Sequence, residues 1–100
     1  MEICCYILFS QELDKFYIGA CQENLSLRIE KHNSGFYGKK TFTSTAQDWD
    51  LFLRIDVLEF SHAIRIEKKI KSMKSATYIK NLKLYSELVK KIKAETASKT

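Results

Sequence analysis

Two tyrosines near the start of the chain carry hydroxyl groups that could serve one reaction site. Tyr6 lies in the apolar run 3–9, and Tyr17 lies in the run 16–21. If the two runs form neighbouring strands, both hydroxyls converge on one side of the sheet when the register permits it. The ordinary pKa of tyrosine is about 10, so action as a general base requires a nearby cation or metal. The alternative is that both tyrosines only pack within a sheet.

Arg28 and His32 are four residues apart and therefore share one face if this segment is helical. The planar guanidinium of Arg28 matches the oxygens of a phosphate group, and His32 can hydrogen-bond to a tyrosine hydroxyl or accept its proton. Taken singly, Arg28 would be a surface residue and His32 a helix-end residue that interacts with the helix dipole. The shared face favours cooperation between them.

Glu67 is isolated among basic residues. It is the only acidic residue between Glu59 and Glu87, and four basic side chains flank it: Arg65, Lys68, Lys69 and Lys71. A lone carboxylate of this kind can hold one Mg²⁺ or Mn²⁺, with water and a substrate phosphate completing the shell. A helical ion pair between Glu67 and Lys71 is the alternative. Phosphodiester hydrolysis needs a deprotonated water, stabilised charge on phosphorus and an assisted leaving oxygen, and the side chains described so far offer candidates for these roles.

The composition indicates one small domain without a membrane segment. The chain has 100 residues, of which 45% are hydrophobic, which suits a single core. No apolar run approaches the roughly 18 residues that span a bilayer, and the N-terminus lacks the order of a signal peptide, so we expect a cytoplasmic protein. Cys4, Cys5 and Cys21 show no C-x-x-C spacing, which predicts reduced thiols. His32 and His62 are isolated from them in sequence, so structural zinc is not expected.

The formal charge of +5 is unevenly distributed. Residues 1–59 contain six Lys and Arg against nine Asp and Glu, whereas residues 60–100 contain eleven against three, which leaves the second segment at +8. Such a basic segment suits a polyanion such as nucleic acid, although lysine-rich helices are often only solvated surfaces.

The hydrophobic pattern predicts two strands, a helix and a third strand. The runs 3–9 and 16–21 predict an antiparallel hairpin. Gly19 interrupts its second strand, which indicates a bulge, a close approach of another group or an edge-strand irregularity. Asn24 can cap a helix that ends at a left-handed Gly35. After a long polar segment with scattered aromatics, residues 51–58 alternate as a third strand with four apolar residues on one face: Leu51, Leu53, Ile55 and Val57.

Two amphipathic helices are predicted after the third strand. Ser61 caps the first, which ends near Lys74 and Ser75 and has four apolar residues on one face: Ala63, Ile66, Ile70 and Met73. The second runs from about residue 76 past Ile92 with an inward stripe of Ile79, Leu82, Tyr85, Leu88 or Val89, and Ile92. The order β-β-α-β-α-α predicts an α/β protein of α+β type, in which helices flank a small three-stranded antiparallel sheet. We expect the domain to cover residues 1–93 and a frayed tail to cover 94–100.

Four segments in this order resemble the GIY-YIG nuclease family, in particular its short stand-alone members, over residues 1 to about 82. Cys4-Cys5-Tyr6-Ile7 stands where the family has Gly-Ile-Tyr and an aliphatic residue, and Tyr17-Ile18-Gly19 matches the second triplet unchanged. Segment 27–35, LRIEKHNSG, is similar to the family's helix, and segment 63–71, AIRIEKKIK, to its metal-ligand helix. Cys4 replaces the usual glycine, so the strand should bend less easily there.

The resemblance implies a metal-dependent DNA endonuclease that uses Mg²⁺ or Mn²⁺. It implies that Tyr6 is the general base and that Tyr17 positions water or phosphate. Arg28 would then stabilise charge, His32 would support a tyrosine hydroxyl, and Glu67 would hold the metal. These roles agree with the chemistry that the residue types allow.

Further residues are candidates for the site, one through the resemblance and six through their suitability for phosphate contact. Asn81 lies at a distance from Glu67 at which related nucleases often have an asparagine near the active site. Six residues are candidates for contacts with the DNA backbone: Lys39, Lys40, Thr43, Lys69, Lys71 and Lys74. His62 and Trp49 are predicted to be structural.

Two other functions stay open. A nucleic-acid-binding module that has kept the fold without turnover would account for the basic C-terminal segment and for Cys4. A partner-binding domain would use the apolar stripe of the last helix, although this stripe is more simply core. The implied partner is DNA, branched or damaged, bound by a monomer or weak homodimer, with specificity that is low or supplied by a protein partner. DNA repair is one of several processes that fit.

Overall fold

Three antiparallel strands form one sheet in the computed structural model of the protein, which describes residues 2–38 and 42–97. β1 (Cys4–Ser10) lies in the centre, with β2 (Lys15–Cys21) on one side and β3 (Asp50–Asp56) on the other. A central strand covered on both faces needs apolar residues throughout, and the sequence CCYILFS of β1 provides them. Two predicted DNA contacts, Lys39 and Lys40, lie outside the described residues.

The register of the hairpin places both tyrosines on the same face of the sheet. Tyr6 is paired with Gly19, and Leu8 is paired with Tyr17. Paired residues share a face, and so do residues two apart on a strand, so Tyr6 and Tyr17 are diagonal neighbours. Their ring centroids are 6.3 Å apart. The register that the predicted convergence required is therefore present.

The described residues form four helices: α1 (Leu25–Ser34), α2 (Phe60–Met73), α3 (Ala76–Leu84) and α4 (Ser86–Thr96). A short 3₁₀ turn, Phe42–Thr45, precedes β3. The predicted order of elements is confirmed, but the predicted last helix is two helices. Tyr85 separates them with extended backbone, φ −122° and ψ 102°, and is exposed, so its place in an inward stripe was wrong. The break lets α4 pack against both α2 and α3. None of these helices is long and apolar enough to cross a membrane.

The ends of α1 follow the sequence prediction, whereas the start of α2 does not. The Asn24 side chain accepts a hydrogen bond from a backbone N–H of the first turn at 2.9 Å, and Gly35 ends the helix at φ 75°. Ser61 is not the cap of α2, because the carbonyl of Glu59 already accepts the first hydrogen bonds of that helix. Lys74 ends α2 in the left-handed region, at the predicted break.

The sheet carries a hydrophobic core on each face. Alternation along β1 sends Cys5 and Ile7 to one face and Cys4, Tyr6 and Leu8 to the other. Six further buried residues complete the first core: Ile55, Ile66, Ile70, Ile79, Leu82 and Ile92. Four complete the second: Cys21, Leu25, Ala46 and Trp49. The three cysteines are buried free thiols, as predicted.

An irregularity in β3 changes which of its residues face the core. Ile7 is paired with Leu53 and Leu8 with Leu51, which leaves Phe52 as the extra residue of a bulge. The bulge reverses the alternation, so Leu51 is exposed, and the prediction that it shares a face with Leu53, Ile55 and Val57 was wrong. Phe52 instead packs against Phe16, with ring centroids 4.9 Å apart.

The end of α4 is fixed to α2. His62 Nε2 lies 2.9 Å from Thr96 Oγ1 and 3.1 Å from the carbonyl oxygen of Lys93. Arg65 Nε–H donates to the carbonyl of Thr96 at 2.6 Å. His62 therefore has the structural role that was predicted. The helix continues through Thr96, into the segment predicted to be a tail.

The core between the sheet and α2 should dominate the stability of the domain. Ile66 is fully buried in it, so Ile66→Ala should lower the free energy of unfolding by about 3 kcal/mol through lost transfer energy and a residual cavity. Leu58→Ala is the control, because Leu58 is 93% exposed and its loss should cost less than about 0.5 kcal/mol. Urea unfolding measures both values, and equal losses would contradict this placement of the core.

Candidate active site

The hydroxyl of Tyr6 lies at the centre of the candidate site, between the sheet and α1. Tyr6 has no solvent-exposed surface. Its Oη accepts a hydrogen bond from Arg28 Nε–H at 3.0 Å and lies 2.9 Å from His32 Nε2. The predicted shared face of Arg28 and His32 therefore exists, and it meets the phenol of Tyr6.

The hydrogen bonds of this cluster all run in one direction from donor to acceptor. Arg28 can only donate, so it supplies the proton of its contact with Tyr6. The buried Tyr6 hydroxyl needs an acceptor for its own proton, and among the described residues His32 Nε2 is within reach. His32 then carries its proton on Nδ1 and donates it to Thr43 Oγ1 at 2.9 Å. The donors run from Arg28 through Tyr6 and His32 to Thr43.

Tyr6 can occupy its place only because residue 19 has no side chain. Gly19 lies opposite Tyr6 in the hairpin, and a Cβ atom on Gly19 would lie 2.6 Å from both Cζ and Oη of Tyr6. This distance is well inside van der Waals contact. Of the three interpretations of Gly19, the close approach is therefore the one that holds, and the approaching group is the phenol.

Thr43 is held beneath His32 by its neighbours. It is buried in the 3₁₀ turn, and its carbonyl accepts a hydrogen bond from Trp49 Nε1–H at 2.8 Å. The Asn33 side chain fixes Trp49, since it accepts from the Trp49 backbone N–H at 2.7 Å and donates to the Trp49 carbonyl at 2.9 Å. Trp49 is structural, as predicted. The sequence placed Thr43 among the phosphate contacts and did not predict this positioning role; the phosphate contact stays a prediction.

Burial and neighbouring charge set the protonation of the site. Burial raises the pKa of the Tyr6 phenol, and the hydrogen bond and charge of Arg28 oppose only part of that rise. Burial, and then the charge of Arg28, lowers the pKa of His32 to about 4. Burial disfavours the charge of Arg28, but the hydrogen bond to Tyr6 helps to keep the pKa of Arg28 above its ordinary value. At neutral pH the cluster therefore holds a neutral phenol, a neutral imidazole and a cationic guanidinium.

Glu67 approaches the site from α2, which packs against β2. Its side chain is 22% exposed, and its Oε2 forms an ion pair with Lys71 Nζ at 2.6 Å, so the helical ion pair considered from the spacing is present. Burial raises the pKa of Tyr17, while Lys71 lowers it and Glu67 raises it. The ring of Tyr17 lies 4.9 Å from that of His32. The charges of Glu67 and Lys71 therefore act on Tyr17, whose ring contacts the Tyr6 cluster.

Glu67 offers a single carboxylate oxygen to a hydrated hard cation. Within residues 2–38 and 42–97 no group of three or more His, Cys, Asp or Glu side chains is assembled, so no closed cage of protein ligands is formed there. Mg²⁺ usually keeps several waters and binds proteins through one or two carboxylates. The Oε1 atom of Glu67 makes no hydrogen bond to a described residue and remains available while Oε2 contacts Lys71.

Two residues whose roles the sequence did not predict support Arg28. Glu23 Oε1 accepts from Arg28 NH1 at 3.2 Å, and its Oε2 lies 3.6 Å from Lys31 Nζ. The ring of Tyr37 lies 4.8 Å from that of His32 and 5.5 Å from Arg28 Cζ. The Tyr37 hydroxyl is buried without a hydrogen-bond partner among the described residues. The only sequence signal was that Glu23 lies just before the helix and Tyr37 just after it.

The candidate site borders a cavity of about 340 Å³, a volume within the usual range of ligand pockets. Six residues line it: Tyr17, Arg28, His32, Tyr37, Phe42 and Thr43. Tyr17 thus reaches the cavity wall, whereas the buried Tyr6 stands behind it.

Glu67 and Lys71 pair with each other, and no hydrogen bond or ion pair between described residues joins either of them to this cluster. The same holds for three other predicted residues. Asn81 lies half-buried on α3. Lys69 forms an ion pair with Glu95 of α4 at 3.9 Å. Lys74 is the exposed C-cap of α2. Their assigned roles stay predictions.

Gly19→Ala should displace the Tyr6 ring, because the new methyl group would overlap Cζ and Oη. Overpacking of this kind should lower the free energy of unfolding by about 2 kcal/mol, and the NMR signals of the His32 ring should shift as its contact with Tyr6 is lost. Ala20→Gly is the matched control: Ala20 follows Gly19 in β2 and faces the other core, so this variant should lose about 1 kcal/mol and leave the His32 signals in place. Unchanged His32 signals in Gly19→Ala would contradict the close approach.

His32 should make stability depend on pH. Its pKa is about 4 in the folded protein, against about 6.5 in an unfolded chain, so the unfolded state binds more protons between these values. The contribution of neutral His32 to the free energy of unfolding is therefore complete above about pH 7. It decreases by up to about 3 kcal/mol as the pH falls from 6.5 to 4. His32→Gln keeps a polar side chain that does not titrate in this range. The difference in unfolding free energy between the two proteins should follow this curve, and a flat difference would contradict the assignment.

A comparison with models of protein families matches residues 2–83 to the GIY-YIG catalytic domain. The matched segment contains all three strands, α1 and α2, which supply Tyr6, Tyr17, Arg28, His32 and Glu67. Searches of curated proteins and of solved structures returned no match. Because the match covers most of the chain and its two tyrosine triplets meet in one site, the protein belongs to the GIY-YIG family, a family of nucleases.

Proposed function

We propose that the protein is a divalent-metal-dependent endonuclease that hydrolyses phosphodiester bonds of DNA. The observation that carries the proposal is the convergence of Tyr17 and Arg28 on one cavity, and the charge of Glu67 on α2 acts on the phenol of Tyr17. A cation for the phosphate, a base for the water and a carboxylate for a metal are the groups that this reaction requires.

Tyr17 is the proposed general base, in place of Tyr6. A general base must reach the attacking water. Tyr17 lines the cavity, whereas Tyr6 has no exposed surface and its hydroxyl is hydrogen-bonded to Arg28 and His32. Tyr17 first loses its phenolic proton to solvent and then takes one proton from the water that attacks phosphorus. Burial raises the pKa of Tyr17, and the charge of Lys71 opposes part of that rise, which assists the phenolate that this step needs.

Arg28 stabilises the charge that develops on the phosphate. Its Nε and NH1 atoms donate to Tyr6 and Glu23, and its NH2 group makes no hydrogen bond to a described residue. The two contacts fix the plane of the guanidinium on the cavity wall, so NH2 is ready to donate to a phosphate oxygen without further ordering. Tyr6 and Glu23 are therefore positioning residues for Arg28.

Glu67 is the residue that would hold the metal, through the oxygen that Lys71 leaves available. A bound Mg²⁺ or Mn²⁺ supplies positive charge to the phosphate and the leaving oxygen. Lys71 and Lys74, near the end of α2, are the proposed contacts with the neighbouring DNA backbone, where affinity comes from charge rather than from the base sequence.

The second candidate function is a nucleic-acid-binding module without turnover. The ion pair between Glu67 and Lys71 favours it, because at 2.6 Å the lysine already neutralises the carboxylate that a metal would use. Salt-sensitive DNA binding without cleavage under any divalent ion would support this function.

Cleavage of supercoiled plasmid in Mg²⁺ or Mn²⁺ tests the proposal. Wild-type protein should nick the plasmid, and Glu67→Gln should lower the rate at least about 100-fold, since the metal ligand is lost. The matched control is Glu95→Gln, because Glu95 is also a helical glutamate paired with a lysine, and its rate should stay within about twofold of wild type. Nicking that persists in Glu67→Gln would indicate a contaminating nuclease.

The exchange of roles between the two tyrosines has its own test. Tyr17→Phe should lose at least about 100-fold in kcat with little change in stability, because a base is removed and no hydrogen bond between described residues is broken. Tyr6→Phe should lose stability as well as activity, since two hydrogen bonds of the cluster are lost. Full activity in Tyr17→Phe would return the role of base to Tyr6.

A further inference from the structure

A series of neighbouring aromatic rings passes through the candidate site. Four of its members line the cavity, namely Tyr37, His32, Tyr17 and Phe42, whereas Phe36 borders a neighbouring groove along α1 and Trp49 is buried. The series begins at Phe36, which packs edge-on against Tyr37 with centroids 5.4 Å apart, and continues to His32 at 4.8 Å and to Tyr17 at 4.9 Å. Beyond Tyr17 it passes to Trp49 at 6.4 Å and ends at Phe42, 5.7 Å from Trp49. The middle of the series is the candidate active site.

The two ends of this series are exposed to solvent. Phe36 is 66% exposed and Phe42 is 45% exposed, although both are large apolar side chains. Phe42 also lines the cavity itself. Packing against the fold covers only part of each ring, so the rest of each ring is accessible to another planar group.

Positive charge accompanies the exposed rings. Lys31 Nζ lies 4.9 Å from the centroid of Phe36, and Arg28 Cζ lies 5.5 Å from that of Tyr37. An exposed aromatic ring beside cations is the combination by which proteins bind single-stranded nucleic acid, since the base stacks on the ring and the backbone meets the charge. An acidic or purely apolar ligand would use only one of the two features.

We propose that Phe36 and Phe42 stack on unpaired bases on either side of the reacting phosphate, so that the substrate is DNA with unpaired nucleotides at the cleavage position. In a duplex the faces of the bases are covered by their neighbours and only their edges are accessible in the grooves. Rings of this kind therefore discriminate against continuous duplex. This inference rests on the proposed nuclease function and specifies the substrate class of the same site.

Binding of two DNA probes of one sequence, a continuous duplex and the same duplex with a central bubble, tests the inference. Fluorescence anisotropy in the presence of a chelator measures binding without cleavage. Wild type should bind the bubble more tightly, and Phe36→Ala and Phe42→Ala should each raise its Kd about tenfold while changing the Kd for duplex less than about twofold. Phe36→Tyr should restore tight binding, because it keeps the stacking face.

Leu84→Ala is the matched control, since Leu84 is 71% exposed and lies on α3, and it should change neither Kd. Thermal unfolding of each variant identifies any loss of folding, and Phe36→Ala provides the test if the contact of Phe42 with Trp49 proves necessary for the fold. Equal affinity of wild type for both probes, or equal losses on both in the variants, would overturn the inference. Tight bubble binding without any cleavage in Mg²⁺ or Mn²⁺ would instead contradict the nuclease function alone.

Discussion

The contact between Gly19 and Tyr6 is the constraint on which the rest of the site depends. Because residue 19 lacks a Cβ atom, the Tyr6 ring can lie across β2 and bring its hydroxyl to α1. A fully buried hydroxyl needs both a hydrogen-bond donor and an acceptor. Arg28 and His32 provide them from one face of α1. Each partner then needs its own support, which Glu23 and Thr43 provide. The second tyrosine triplet is thus required for its glycine as much as for its tyrosine.

The central position of β1 separates stability from chemistry. One face of the sheet packs with α2, α3 and α4 in a wholly apolar core, while the other face holds the Tyr6 cluster under α1. α2 takes part in both, because it packs against the edge strand β2 and carries Glu67, whose charge acts on Tyr17. Cys4, which replaces the usual glycine of the first triplet, pairs regularly with Cys21 and Asp56. Burial raises the pKa of its thiol to about 12, so Cys4 adds no charge to the site.

Local signals predicted the elements that carry the site, and contacts across the chain decided what the sequence could not show. The caps Asn24 and Gly35 act within one turn of helix, so the bounds of α1 followed from the sequence. The bulge at Phe52 depends on the pairing of β3 with β1, and the break at Tyr85 depends on packing of α4 against α2. Neither the bulge nor the break has a sequence signal within its own segment. For the same reason the motif residues were found by resemblance, whereas the roles of Thr43, Glu23 and Tyr37 emerged only from tertiary contacts.

The two tyrosines both belong to the family motif, but they differ in hydrogen bonding and in access to the cavity. Tyr6 is enclosed, its hydroxyl is paired twice, and any movement of its proton would charge His32, whose burial lowers its pKa to about 4. Such a group orders its neighbours and resists ionisation. Tyr17 lies on the cavity wall. Burial raises the pKa of its phenol too, but Lys71 opposes part of that rise, and a cation held by Glu67 would oppose more of it. A base must change its charge at low cost, so the phenol that is less completely buried is the better one, and the more completely buried phenol provides the rigid frame against which it works.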